Sequence, residues 1–118
     1  MGLDFGFYRD HQEIHSVDGH GALFELFDSQ IGGPAYDGYD DFLVTEETLD
    51  VASRKLALRL YRAGIADSPV DPKAFEDLRS LDERRTPSDV LLLAYQSFLE
   101  ELQREVGTRG PLVCAYSA

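Results

Sequence analysis

The stretch HQEIHSVDGH, residues 11–20, places His11, Glu13, His15, Asp18 and His20 within ten positions. Imidazoles and carboxylates are the ligands that zinc and similar divalent metals take. In an extended chain, His11, Glu13 and His15 would project from one face at i, i+2 and i+4, with roughly 7 Å between alternate side chains. His20 or Asp18 would then supply a fourth ligand from the following turn. A helix would also align His11 with His15. However, HQEIH lacks the glutamate directly after the first histidine that a zinc-protease helix uses as its base. The same residues also fit a structural role, with Glu13 and His15 in cross-strand polar pairs and His20 at the start of a helix. No cofactor is therefore expected. The alternative is a divalent ion such as zinc, with the candidate set His11, Glu13, His15 and His20.

A second group with chemical potential is YDGYDD, residues 36–41, continuing to Glu46 and Glu47. Paired carboxylates can do acid–base work only where burial or a neighbouring charge separates their pKa values, and no such environment is signalled here. The expected role is contact: Asp37, Asp40, Asp41, Glu46 and Glu47 as an acidic surface, with Tyr36 and Tyr39 as aromatic anchors. No GxSxG turn, phosphate-cradling glycine loop or CxxC pair occurs, and the chain is read as leaning away from an enzyme.

Charge is spread unevenly. Of 22 acids and 11 bases, residues 1–53 hold twelve acids and one base, Arg9, whereas residues 54–118 hold ten of each. Such an acidic half cannot replace the counterions of a phosphate backbone, so direct nucleic-acid binding is not expected. A basic protein surface is the favoured partner, although the same charge also serves solubility. The chain, 118 residues long, fits one domain from 1 to 118. Cys114, the one cysteine, sits in the apolar run PLVCAY and reads as a buried small side chain in a reducing, cytoplasmic setting. No leader or membrane-length apolar run is seen.

These groups must be held by a modest set of elements. LDFGFYRD alternates Leu3, Phe5 and Phe7 against Asp4, Gly6 and Tyr8, the period of a half-buried strand. QEIHSV is its hairpin partner, with Ile14 pointing away from Glu13, His15 and Val17. ALFELFDSQI reads as a short helix, DDFLVT as a strand, and Thr45 as the cap of a helix that stacks Leu49, Ala52, Leu56 and Leu60. AFEDLRSL, residues 74–81, reads as another short helix. Thr86-Pro87-Ser88-Asp89 predicts a helix start with Thr86 as cap, and Gly107 and Gly110-Pro111 its stop. The expected fold is a single α+β domain. A small, mainly antiparallel sheet of three or four strands (about 3–10, 12–17, 40–45 and 111–117) is packed on one face by helices near 46–63 and 87–106.

The opening Met1-Gly2-Leu3-Asp4, followed by Phe5, Phe7 and Tyr8, and the order of elements behind it resemble a group of small phage and prophage-associated proteins of unknown function. The matching pieces are MGLDFGFYRD, EIHSV, GALFELF, DDFLVTEETLDVASRKL, DVLLLAYQSFLEELQREV and PLVCAYSA. The resemblance implies an α+β fold and a phage-like origin, and it transfers no catalytic residue. Three functions are thus expected in order: an accessory protein acting by contact, one concrete form of which is an inhibitor that imitates nucleic acid; a metal-binding protein or metal-dependent enzyme; and a self-associating domain, for which a homodimer is the simplest form.

Overall fold

A computed structural model of the chain describes residues 4–30 and 41–117, without the side chains of 28–30, 41 and 117. Strand β1 (Asp4–Arg9) and strand β2 (Gln12–Asp18) form an antiparallel hairpin. Its two-residue loop is Asp10-His11, with φ of 52° and 66°. Positive φ at both loop residues is the twist that lets a two-residue hairpin close, and Asp and His tolerate it better than most side chains. Helix α1 (Gly21–Phe24) runs into a 3-10 turn at Glu25–Gln30. Strand β3 (Asp41–Val44) leads into helix α2 (Glu46–Arg62), and helix α3 (Ser88–Arg109) precedes strand β4 (Leu112–Ser117). The four strands pair antiparallel in the order β2-β1-β4-β3.

The expected α+β class and four-stranded sheet are thus the observed ones. The inner face of the sheet carries Phe5, Phe7, Val17, Phe42, Val44, Leu112 and Cys114, all buried. Against it lie Leu49, Ala52 and Leu56 of α2 and Tyr95, Phe98, Leu99 and Leu102 of α3. The Phe7 ring sits at the centre, 5.6 Å from Phe98 and 5.8 Å from Phe27, in tilted contacts that suit aromatic quadrupoles.

The start of α2 is set by a reciprocal cap. The Thr45 hydroxyl accepts from the Thr48 amide at 3.3 Å, and the Thr45 amide donates to the Thr48 hydroxyl at 3.2 Å. Thr48 takes the place usually held by Glu or Gln in this motif.

Three expectations need correction. Pro87, with ψ of 142°, is itself the boundary residue of α3, so Thr86 lies outside the helix and no side chain caps it. Of the two expected stops, Gly107 stays within α3, and Gly110 is the one that ends it, with a φ of 101° that only glycine adopts readily. Residues 74–81 form a single 3-10 turn at Ala74–Asp77 rather than a helix; Phe75 donates its amide to the Ser97 hydroxyl of α3 at 3.0 Å, which ties the turn down.

Candidate functional site

The histidine-rich stretch is dispersed by its own backbone. Phe7 pairs with His15 but Tyr8 pairs with Glu13, so Ile14 is an extra residue, a β-bulge. Side chains at i and i+2 share a face only in an uninterrupted strand, and the bulge breaks that rule here. His15, opposite Phe7, turns to the inner face, where it meets the edges of Phe75 and Phe98 at 5.9 and 5.7 Å. Burial holds its pKa below the ordinary 6.5, partly opposed by the Glu105 carboxylate. Glu13 goes to the outer face beside Tyr8, and His11 occupies the exposed hairpin loop.

His20 lies elsewhere again, in the core at 2% exposure. Its Nε2 is 2.9 Å from the Leu78 carbonyl, which can only accept, so Nε2 carries the proton. In the neutral ring Nδ1 is then an acceptor, and it takes the Tyr95 hydroxyl at 2.7 Å. Both ring nitrogens are spoken for. Burial, with help from the Glu83 carboxylate, pushes the Tyr95 phenol well above its usual range. The expected set His11, Glu13, His15 and His20 is therefore not brought together. Among the described residues, no group of three His, Cys, Asp or Glu side chains could hold a metal ion.

Of the acidic contact residues, Glu46 and Glu47 are exposed in the first turn of α2. Asp41 opens β3, paired with Ala115. Tyr36, Asp37, Tyr39 and Asp40 lie outside the described residues.

What the fold does assemble is the outer face of the sheet. The helices cover one face, leaving Asp4, Gly6 and Tyr8 of β1, Glu13, Ser16 and Asp18 of β2, and Val113 and Ala115 of β4 on the other. Leu43 of β3, paired with Val113, is 56% exposed, and Val113 is 37% exposed. Tyr8 lies across Gly6: a Cβ at residue 6 would stand 2.9 Å from the tyrosine Cε1 and 3.1 Å from its hydroxyl. Glycine at that position thus permits the ring to lie flat, making an aromatic floor. Around it is an open trough of about 410 Å³ whose walls include Asp4, Glu13, Ser16 and Asp18.

Asp4 and Asp18 face each other across β1 and β2. Hydrogen bonding to Asp18 and repulsion from its charge raise the Asp4 pKa. Like charges held opposite one another in this way oppose folding, and a cation reaching them relieves the strain. At the β2 edge, Arg79 donates to the Ser16 hydroxyl at 2.5 Å. Comparison with known protein families, with curated proteins and with solved structures gives no match.

Sequence reasoning passed over Arg9, the lone base of the acidic half. It does not face the trough. Its Nη1 meets Glu105 at 2.6 Å and its Nη2 donates to the Gly110 carbonyl at 2.7 Å, closing the C-terminal end of α3, where the helix dipole favours a cation. Its hydrogen bond holds the Glu105 carboxyl below the ordinary carboxylate range, against the opposing effect of burial. The available signal was its isolation: one base among thirteen charges implies a dedicated partner. No described helix is long and apolar enough to cross a membrane.

Proposed function

We propose that this chain is a non-enzymatic accessory protein of phage or prophage type. It works in the cytoplasm by protein contact, with the outer face of its sheet meeting a basic surface on another protein. The observation that carries this reading is the outer trough, in which Asp4, Glu13 and Asp18 surround the half-buried ring of Tyr8. A guanidinium or ammonium group finds there an aromatic face to stack on and carboxylates to pair with. Leu43 and Val113, side by side on the same face, add apolar contact that pure charge would lack. Spaced carboxylates on a flat sheet can also imitate a phosphate backbone, so a nucleic-acid-binding protein is the concrete form of partner. Phosphate-bearing partners are disfavoured by the same charge.

The test is affinity capture from a bacterial extract by wild type and by a variant carrying Asp4→Lys, Glu13→Lys and Asp18→Lys. Basic proteins are expected to be retained by wild type, lost from the variant, and released as salt rises from about 50 to 500 mM, a range over which the screening length falls severalfold. Identical retention by both proteins would rule the trough out as the contact surface.

A further inference from the structure

Helix α2 buries Leu49, Ala52, Leu56 and Leu60 against the core. On a helix of this kind the opposite stripe is normally polar. Here, at steps of three and four, that stripe reads Glu47, Val51, Arg54, Leu58 and then Tyr61 and Arg62. Leu58 is 49% exposed, and Tyr61, at 75%, is the most open large apolar side chain among the described residues. The helix is also sorted by sign: Glu46, Glu47 and Asp50 precede Arg54, Lys55, Arg59 and Arg62. Sorting of this sort suits the helix dipole, but the dipole does not account for Leu58 and Tyr61 standing in water between the charges.

From this arrangement we infer that α2 pairs with α2 of a second copy of the chain, antiparallel, about a twofold axis that passes near residues 54 and 55. A twofold contact is self-complementary: if one residue meets another, the reverse contact follows. One axis then satisfies the whole stripe. Glu47 meets Arg62 of the second copy, Val51 meets its Leu58, and each contact occurs twice. Arg54, next to the axis, has a counter-ion in its own helix, since Asp50 lies 2.8 Å away. A parallel pairing would instead set acids on acids and bases on bases. The antiparallel arrangement also opposes the two helix dipoles. This surface is separate from the sheet trough, so the inference stands apart from the proposed partner.

The contact is small. Seventeen residues span about 25 Å, and one helix pair buries less than the roughly 1,200 Å² at which stable interfaces begin. A reversible dimer with a dissociation constant of about 100 µM is the expected strength. Each copy carries a formal charge of -11, so salt relieves overall repulsion while weakening the local pairs, and a salt series alone decides nothing.

Exchange of sign is the discriminating experiment. Sedimentation velocity is run on wild type, Glu47→Arg, Arg62→Glu, the double variant, and an equal mixture of the two single variants, with thermal melts by circular dichroism to show that all are folded. Both positions are exposed, so the fold is expected to survive. Each single variant places like charges together twice and is expected to dimerise about tenfold more weakly. In the mixture, and in the double variant, opposite charges face again and affinity returns to within about threefold of wild type. A wild type that stays monomeric to about 1 mM overturns the inference, and so do single variants that dimerise as wild type does. Failure of the mixture to recover means that another surface or another partner covers the stripe, which overturns it equally.

Discussion

Replacing Tyr95 by phenylalanine removes one oxygen atom from the core and nothing else, which makes it a clean measure of the His20 network. Tyr95 is 1% exposed and His20 2%, and no water path is needed to explain the 2.7 Å contact between the phenol and Nδ1. With the hydroxyl gone, Nδ1 is left buried without a donor, while Nε2 still donates to Leu78. A buried polar atom stripped of its partner costs about 1–3 kcal/mol, and phenylalanine preserves the ring packing, so the loss comes from the hydrogen bond. For a domain of this size each kcal/mol moves the melting temperature by about 4 °C, giving an expected fall of about 4–12 °C for Tyr95→Phe. Far-UV circular dichroism in urea is the suitable assay, since the chain contains no tryptophan to report by fluorescence. The midpoint should fall with an unchanged slope. Tyr61→Phe, at a residue 75% exposed, is the control and should stay within about 0.5 kcal/mol of wild type. A Tyr95→Phe protein as stable as that control would refute the assignment of His20 as a hydrogen-bonded core residue.

Gly107 lies inside α3, and a Cβ there would meet only Glu46 Oε1 at 3.7 Å, an ordinary contact; Gly107→Ala should therefore stabilise the protein by about 0.5–1 kcal/mol in the same urea assay. Stability should also decline on acidification in two stages. The folded state holds His15 below its ordinary pKa of 6.5 and Glu105 below 4.5, so the unfolded chain takes up a proton first at His15 and then at Glu105 while the folded chain resists. Arg9→Leu should lower stability at neutral pH by about 3 kcal/mol, the low end for breaking a buried pair, and flatten the stage below pH 4.5 while leaving the one below 6.5. Urea midpoints measured from pH 8 to pH 3 would show both stages.

The elements that could be read in advance were those with an uninterrupted period. Phe5 and Phe7 against Gly6 and Tyr8, and the Leu49-Ala52-Leu56-Leu60 stripe, each state their own buried face, and both lie where the periodicity places them. The candidate site failed for a reason of the same kind. Whether Glu13 and His15 share a face depends on how β1 is spaced opposite them, and Ile14 interrupts that spacing. Similarly, His20 is fixed by groups 58 and 75 positions away, which no local pattern discloses. Residues 74–77 show the converse case: helical propensity was present over 74–81, yet only a single 3-10 turn forms, with the Phe75 amide held by Ser97 of α3. The outer trough combines Asp4, Glu13 and Asp18 only after register is known, although the alternation in β1 had already assigned Asp4 and Tyr8 to the outward side.

The order β2-β1-β4-β3 gives the sheet a centre made of its earliest and latest strands, with Phe7 opposite Cys114. During synthesis, the β1–β2 hairpin can form as soon as residue 18 is free, yet its apolar face has no second strand on the other side until residues 112–117 emerge. α2 and α3 must wait as well, because the surface they cover is incomplete. Pairing across about 100 residues is slow to close. Phe5, Phe7 and Phe42 are therefore without their full cover until β4 has been made, and the carboxylates that flank them oppose, by like charge, their contact with a second copy in that interval.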